Sequence, residues 1–268
     1  MRTIAVVNQK GGSCKTTTAL NLSAALAERG RRVVIVDLDP QANISAWLGF
    51  GEERAGRAML DVLTQEASLD EIIQPTDIEG LSLAPSSSWL VGAERALAQE
   101  VGAESVLRRQ LTRYRQTVSQ EGTPPDYVLL DCPPTLGVLT VNALAAAREV
   151  LVTIEAHILA LSGLVQLQST VDVVRERLNS ELELSGIVAC RVDKRTRHSR
   201  EIVDQLRKHY GNVVYNTVIR ENVRVAESPS FCEPVTAYDN SSYGAADYRA
   251  LAGEVIEKER ESLVQQKQ

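Results

Sequence analysis

Short runs of hydrophobic residues alternate with longer helical patterns along the chain. Strands are predicted at residues 3–8, 32–37, 81–84, 127–131, 149–154, 186–191 and 213–219. Helices are predicted at residues 15–29, 142–148, 161–178, 200–210 and 244–261, with weak helical patterns at 57–74 and one long or broken helix at 92–120. Because hydrophobic strands that alternate with helices form parallel sheets, the pattern predicts an α/β fold. Its doubly wound, mostly parallel sheet should carry helices on both faces.

Composition narrows the class of protein. Hydrophobic residues make up 44% of the 268-residue chain, which excludes a disordered protein, and no apolar run approaches the roughly 18 residues of a transmembrane helix. The first seven residues enter a strand-like run without a signal-peptide pattern, so a cytoplasmic protein is expected. Without an internal repeat or a long linker, residues 1–260 are expected to form a single domain, followed by a polar, frayed tail at 261–268.

Charge is distributed unevenly. The net charge of −6 argues against nucleic-acid binding, but residues 191–224 contain nine Lys or Arg and four acids. That segment therefore carries +5 and the rest of the chain −11. A basic patch on an acidic body and an ordinary solvated helix are both compatible with this distribution.

Residues 10–17 (KGGSCKTT) lie between a predicted strand and a predicted helix, where a phosphate-binding loop belongs. Glycines allow backbone N–H groups to approach phosphate oxygens, and the helix N-terminus favours an anion. Lys15 is predicted to reach the β- and γ-phosphates, and the Thr16 hydroxyl to bind Mg²⁺. The ordinary Walker A pattern fails at both of its glycines, where Gln9 and Cys14 stand. A glycine-rich turn without a ligand is the alternative.

The chain resembles the ParA/MinD family of deviant Walker A ATPases. The resemblance begins with Lys10-Gly11-Gly12 followed by Lys15-Thr16 and continues at residues 36–43 (VDLDPQAN), 131–134 (DCPP) and 222–229 (NVRVAESP). It covers nearly the whole chain and implies a P-loop NTPase fold with ATP and Mg²⁺ as cofactors.

The resemblance also assigns roles to residues. Lys10 is expected to reach the nucleotide of a partner subunit in an ATP-sandwich homodimer, and Asp39 to position the attacking water. Catalysis is thus assigned to Lys10, Lys15 and Asp39, and the Mg²⁺ environment to Thr16, Asp37 and Asp131. The predicted nucleotide contacts are Lys10, Gly11, Gly12, Ser13, Cys14, Lys15, Thr16 and Thr17. Each Asp could alternatively serve as a helix N-cap after its strand.

Cys14 departs from the glycine that the family usually has. It is interpreted as a tolerated small residue, with a weakened nucleotide site and redox control of a thiol near a helix N-terminus as alternatives. The other cysteines, Cys132, Cys190 and Cys232, are interpreted as small packing residues. The four cysteines contain no CxxC pair, so a zinc ribbon is excluded and a disulfide framework is not expected.

Within the family, the chain is most similar to the small Soj/ParF-like partition ATPases. This implies nonspecific DNA binding, weak ATP hydrolysis stimulated by a ParB-type or adaptor partner, and nucleoid association. The resemblance places Arg195 and Arg224 at the DNA, and charge alone adds Arg197, Arg200 and Lys208. Residues 257–268 have little apolar face, so no membrane binding is expected. A small-molecule enzyme of the dethiobiotin-synthetase type and a nucleotide-impaired ParA-like regulator are the alternatives.

Overall fold

One seven-stranded sheet organises the chain, whose computed structural model describes residues 1–51, 56–98, 100–157 and 159–265. The strand order is β3-β4-β2-β5-β1-β6-β7, and every pairing is parallel except that of β3 with β4. The strands are β1 (Arg2–Val7), β2 (Val33–Asp37), β3 (Gln74–Pro75), β4 (Leu81–Ala84), β5 (Tyr127–Asp131), β6 (Glu149–Glu155) and β7 (Glu183–Cys190). This is the mostly parallel sheet that the sequence predicts.

Helices cover both faces of the sheet. Those in the described ranges are α1 (Lys15–Ala27), α2 (Asn43–Trp47), α3 (Met59–Leu63), α4 (Leu69–Ile72), α5 (Ala93–Leu97), α6 (Val106–Glu121), α7 (Val138–Ala146), α8 (Leu159–Arg177), α9 (Arg197–Tyr210), α10 (Val223–Glu227), α11 (Val235–Tyr238) and α12 (Tyr243–Gln265). The core that contains Ile4 and Val6 packs against α1 and α12, whereas Ala5 and Val7 face a second core beneath α6, α7 and α8. Successive side chains of β1 therefore point alternately into the two cores, as expected of a strand buried on both faces.

The predicted strand at residues 213–219 is wrong. Residues 213–220 meet β7 and the chain just after it through two isolated bridges, Ile187 with Val214 and Val192 with Arg220. Between the bridges, the backbone amides of Asn216 and Thr217 donate to the Glu254 carboxylate at 2.8 and 2.7 Å. Because these amides donate to Glu254, they are not available to β7, and a continuous ladder of hydrogen bonds does not form.

The predicted helix at residues 92–120 is broken. Gly102 has a left-handed φ of 72° and lies between α5 and α6, so neither helix continues through it. At the end of the chain, α12 extends to Gln265, beyond the predicted end at Glu261, and residues 266–268 of the predicted tail lie outside the described residues. None of the helices in the described ranges has the length and apolar character needed to cross a membrane.

Candidate functional site

A cleft of about 630 Å³ lies at the carboxyl edge of the sheet. The loop between β1 and α1 lines it with residues 11–17, and the segment after β2 adds Asp39 and Gln41. Another part of the wall is formed by Arg191, residues 219–223, Val225 and Ala226. Ligands of open α/β sheets bind at this edge. The structure thus brings loop residues 11–17 and Asp39 into one cleft, whereas Lys10 is not part of its lining.

The backbone of the loop leaves the start of α1 open to a ligand. Cys14 is the N-cap residue of α1 and has left-handed angles, with φ 65° and ψ 19°. No side chain within the described part of the chain caps this helix. The first N–H groups of α1 are therefore available to an anion such as a phosphate. The left-handed angle costs a residue with a side chain about 1–2 kcal/mol, which is why glycine suits position 14.

Lys15 is a buried cation inside this loop. Its Nζ donates to the Lys10 carbonyl at a long 3.4 Å. Burial lowers the pKa of Lys15, and the negative charges of Asp131 and Asp39 act in the opposite direction. An anionic ligand would supply the strong partner that this ammonium group has not found within the described chain.

Asp37 and Asp131 are neighbours on β2 and β5, and both are fully buried. Asp37 is well satisfied, since its carboxylate accepts from the Ser45 amide at 3.0 Å, the Ser45 hydroxyl at 2.7 Å and the Asp39 amide at 3.2 Å. Burial nevertheless raises the pKa of Asp37 to about 6, because the hydrogen bonds offset only part of its effect. In this structure Asp37 fixes the segment after β2, and its predicted place in the Mg²⁺ environment stays a prediction.

Asp131 differs, because neither carboxylate oxygen has a hydrogen-bond partner among the described residues. Burial, followed by the charge of Asp37, raises the pKa of Asp131 well above its usual range, although the nearby Thr16 hydroxyl and Lys15 act to lower it. A buried carboxylate without a partner is costly and therefore rare.

Oxygen ligands suit Mg²⁺, which typically takes one or two carboxylates together with phosphates and water. Asp131 and Thr16 fit such a site. Within the described residues, no cluster of three or more His, Cys, Asp or Glu side chains could hold a metal ion.

Hydrogen bonds fix both the side chain and the backbone of Asp39. Its Oδ1 accepts from the Gln41 amide at 2.9 Å, and its backbone carbonyl accepts from the Ser86 hydroxyl at 2.9 Å. The other carboxylate oxygen, Oδ2, accepts no hydrogen bond from any described residue. The Asp39 side chain lines the cleft. This geometry allows Asp39 to accept a hydrogen bond from water near a bound phosphate.

Lys10 lies at the mouth of the cleft with 52% of its side chain exposed. Its Nζ is 3.5 Å from Glu155, which also pairs with Arg191 at 3.2 Å, and Arg191 lies 3.6 Å from Glu221. Glu155 and Arg191 are not among the site residues predicted from the sequence. Their positions could have indicated them, because Glu155 ends β6 and Arg191 directly follows β7. Both therefore lie at the edge of the sheet where ligands bind.

Most of the predicted DNA-binding arginines form ion pairs. Arg195 pairs with Asp193 at 2.9 Å, Arg197 with Glu201 at 2.6 Å, and Arg224 with Glu227 at 2.9 Å. The remaining two candidates, Arg200 and Lys208, are exposed and have no ion pair in the described ranges.

Acids outside residues 191–224 offset part of the segment's charge of +5. Arg220 pairs with Asp247, and Arg224 pairs with Glu227 and lies 3.3 Å from Asp239. Arg195 precedes α9, whereas Arg224 belongs to α10; their segments meet at the bridge between Val192 and Arg220.

The cysteines differ in exposure. Cys132 and Cys190 are buried, as expected of packing residues, and Cys14 is half-buried in the wall of the cleft. Cys232 is exposed, so its interpretation as a packing residue is wrong. It follows a short turn at Ser228–Phe231 and has a left-handed φ of 57°, which places it at the surface.

Known proteins match this chain over most of its length. A family model described as an AAA domain matches residues 1–184. The chromosome partitioning protein ParA of Caulobacter vibrioides is 43% identical over 261 residues, which cover 97% of this chain and 96% of that protein. The sporulation initiation inhibitor protein Soj of Bacillus subtilis is 40% identical over 252 residues, covering 94% and 97%. A solved cobyrinic acid a,c-diamide synthase from Mycobacterium smegmatis, with bound ADP and magnesium, is 34% identical with a TM-score of 0.81, covering 96% of this chain and 94% of that one.

Proposed function

The chain belongs to the ParA/Soj family of partition ATPases, and we propose that it moves or positions a cargo through an ATP-driven cycle of dimerisation and DNA binding. ATP and Mg²⁺ are its cofactors. The observation that carries the proposal is the unpaired, buried Asp131 carboxylate beside Lys15 and Thr16 in an uncapped strand-to-helix loop. A cation and a phosphate chain would satisfy all of these groups together.

The loop residues bind the nucleotide in this proposal. The N–H groups at the start of α1 donate to phosphate oxygens, and Lys15 adds a buried positive charge. Thr16 and Asp131 hold Mg²⁺, which when bound neutralises charge on the phosphates. Asp39 orients a water molecule towards the γ-phosphate with the carboxylate oxygen that its own turn leaves available.

Lys10 is the residue proposed to act across a dimer. It is half-exposed and holds Glu155 only at 3.5 Å, and an exposed pair of this kind contributes about 0–1 kcal/mol. Exchanging Glu155 for the phosphates of a partner's nucleotide therefore costs little. Such exchange would make dimerisation depend on ATP.

DNA binding is proposed for Arg195 and Arg224, with Arg197, Arg200 and Lys208 as further phosphate contacts. Their guanidinium and ammonium groups are exposed enough to exchange a carboxylate for a DNA phosphate, and Arg195 has 90% of its side chain exposed. Each subunit offers few unpaired cations, so a dimer should bind far better than a monomer. The cargo would be a plasmid, a chromosome or a protein organelle, and a ParB-type or adaptor protein would stimulate turnover on the nucleoid.

The testing experiment combines calorimetry, light scattering and retention on nonspecific duplex DNA, each with ATP or ADP. We expect Mg²⁺-dependent ATP binding that is lost in Lys15→Ala, and an ATP-dependent dimer that is lost in Lys10→Ala. Lys194→Ala removes an exposed lysine away from the cleft and should still dimerise. Absence of ATP binding would contradict the nucleotide site, and a stable Lys10→Ala dimer would contradict the role of Lys10 across the interface.

Similarity to the M. smegmatis cobyrinic acid a,c-diamide synthase favours a second candidate, an ATP-dependent enzyme that acts on a small molecule. Both candidates share the loop, so ATP binding does not separate them. DNA retention that requires ATP supports the partition ATPase, whereas ATP turnover without any DNA retention supports the enzyme. If only a Cys14→Gly variant binds ATP, the chain is a nucleotide-impaired regulator.

A further inference from the structure

Four side chains of alternating charge form a row at the mouth of the cleft, in the order Lys10, Glu155, Arg191, Glu221. The Oε2 atom of Glu155 lies 3.5 Å from the Nζ of Lys10, and its Oε1 lies 3.2 Å from the Nη1 of Arg191. The Nη2 of Arg191 lies 3.6 Å from Glu221. Two cations therefore share the Glu155 carboxylate through different oxygens, and the charges of the row sum to zero.

The backbone fixes where these side chains begin. Glu155 ends β6, and Arg191 follows the end of the neighbouring strand β7. The Lys10 amide donates to the Asn8 side chain at 2.9 Å, and the Asn8 amide group donates to the Thr153 carbonyl on β6. The backbone of Lys10 is thus tied to the strand that carries Glu155. Its ammonium group is held more loosely, because its ion pair within the described residues is long.

The three groups differ in their need for a partner. Glu155 has 24% of its side chain exposed, whereas Lys10 and Arg191 each have 52% exposed. A largely buried carboxylate is costly without a partner, while a half-exposed cation can turn to water. When Lys10 moves to the nucleotide of a second subunit, Glu155 therefore needs Arg191. Without Arg191, the carboxylate would retain Lys10, and its negative charge would face phosphates in the cleft.

We propose that Arg191 is a positioning residue for Lys10, an inference that rests on the proposed function. Arg191 neutralises Glu155 before and after the exchange, so that Lys10 is free to leave for the phosphates of the partner's nucleotide. Arg191 lines part of the same cleft, but in this role it acts through Glu155 and not through the nucleotide. Substitution of Arg191 should therefore weaken the dimer only while Glu155 is present.

The symmetry of a dimer enlarges the effect. Exposed ion pairs are weak, so losing Arg191 should disfavour the release of one Lys10 by about threefold. A dimer that binds two nucleotides releases two lysines. The two factors multiply, and the dissociation constant of the dimer should rise about tenfold.

The test measures that dissociation constant by sedimentation equilibrium with Mg²⁺ and the non-hydrolysable ATP analogue AMPPNP. Arg191→Ala should weaken the dimer about tenfold, and Arg191→Lys, which keeps the charge, should restore most of the loss. Glu155→Gln should strengthen the dimer, and adding Arg191→Ala to it should have no further effect. The control is Arg175→Ala, which removes an equally exposed arginine from an ion pair outside the cleft and should leave the constant unchanged.

Two results would overturn the proposal. The first is equal weakening by Arg191→Ala with and without Glu155, because Arg191 would then support the fold or the nucleotide directly. The second comes from the Lys10→Ala protein, where no lysine is left to position. Calorimetry should give the same AMPPNP affinity for Lys10→Ala and Lys10→Ala/Arg191→Ala, and a lower affinity of the double variant would assign Arg191 to the nucleotide itself.

A measurement on the ligand-free protein does not depend on dimerisation. A carboxylate keeps an amine in its ammonium form and so slows acylation of that amine. Limited acetic anhydride should therefore acetylate Lys10 more slowly in Arg191→Ala and faster in Glu155→Gln, with Arg175→Ala unchanged. Trypsin cuts after Lys10 only when its amine is free, so the peptide of residues 3–15 reports acetylation and that of residues 3–10 its absence.

The acetylation result separates the two levels of the proposal. Equal acetylation of Lys10 in the unsubstituted protein, Arg191→Ala and Glu155→Gln would overturn the positioning role. A protein that forms no dimer with Mg²⁺ and AMPPNP would contradict the proposed function instead, and acetylation would still decide whether Arg191 controls how firmly Glu155 holds Lys10.

Discussion

The phosphate loop and the arginine-rich segment at residues 191–224 both carry charge for a proposed anionic ligand, but the fold treats them differently. At the loop, the described chain leaves groups without partners, among them both oxygens of Asp131 and the uncapped start of α1. In the segment, Arg195 already forms an ion pair with Asp193, and Arg224 with Glu227. The loop is therefore incomplete without its ligand, whereas DNA must displace partners that the arginines already have.

Burial accounts for this difference. Asp131 lies fully buried, and burial raises its pKa. Asp193 lies at the surface, where hydrogen bonds from Arg195 lower its pKa. Electrostatic interactions are strong around the buried Asp131 and Lys15, where little water enters, and weak in the segment, where water screens them. Substitutions at the loop should therefore have larger effects than substitutions in the segment.

The largest effect is expected for Asp39→Ala. Removing the carboxylate proposed to orient water should lower ATP turnover by about a hundredfold or more, because positioned bases typically contribute that much. ATP binding should persist, so the variant should accumulate as an ATP-bound dimer. Phosphate release and calorimetry measure the two properties. Asp77→Ala, which removes an exposed acid away from the cleft, is the control, and turnover of Asp39→Ala at the control's rate would contradict the role.

The stability of the nucleotide-free protein should depend on pH through Asp37, at the end of β2. The pKa of Asp37 is about 6 in the folded protein and 3.8 ordinarily, so the folded state binds more protons between these values. The free energy of unfolding should therefore decrease as pH rises from about 4 to about 6, by up to about 3 kcal/mol.

Urea unfolding at several pH values measures this slope, and Asp37→Asn should reduce it, leaving the contribution of Asp131, whose pKa is also raised. Asp193 has the opposite sign, because its lowered pKa stabilises the fold above its ordinary value of 3.8 and that contribution is lost only as pH falls further. Asp193→Asn should therefore leave the slope between about pH 4 and 6 unchanged. An equal slope in Asp37→Asn and the unsubstituted protein would show that Asp37 does not cause it.

Asp131→Asn should separate stability from ligand binding. Replacing a buried, unpaired carboxylate by a neutral amide should stabilise the ligand-free protein by about 1 kcal/mol. The same change should lower Mg²⁺-dependent ATP affinity about tenfold, because the metal loses a charged ligand. Thermal unfolding and calorimetry measure the two, with Asp172→Asn in an exposed ion pair as the control. Lower stability together with unchanged affinity would mean that the carboxylate serves the fold and not a metal.

The smallest effects are expected in the arginine-rich segment, where two substitutions should change DNA binding in opposite directions. Arg224→Ala should reduce the log–log salt slope of DNA binding by about 0.9 on every sequence. Glu227→Gln removes the carboxylate that pairs with Arg224 and should strengthen DNA binding a few-fold at most, since an exposed ion pair is weak and readily exchanged. Arg113→Ala on α6 removes an exposed arginine without an ion pair in the described ranges and is the control. Equal slopes in Arg224→Ala and Arg113→Ala would remove Arg224 from the interface.

Much of the fold could be predicted because its signals are local. Apolar runs such as residues 127–131 identify strands buried on both faces, and β5 follows that run without change. The loop could be predicted because its chemistry needs glycines, Lys15 and Thr16 at a fixed spacing. The segment at 213–219 has the same apolar character but forms only isolated bridges, because Glu254, distant in sequence, takes its amides. No local pattern contains that information.

The sequence by itself determined the alternation of strands and helices and the position of the phosphate loop, because residue type and spacing within a few residues govern both. Only the tertiary structure decided which buried carboxylate lacks a partner among the described residues and which acids neutralise the arginines. Several of these contacts join residues far apart in the chain. Their geometry depends on how strands stack into a sheet and which helix covers each face, and burial then sets how strongly each charge acts.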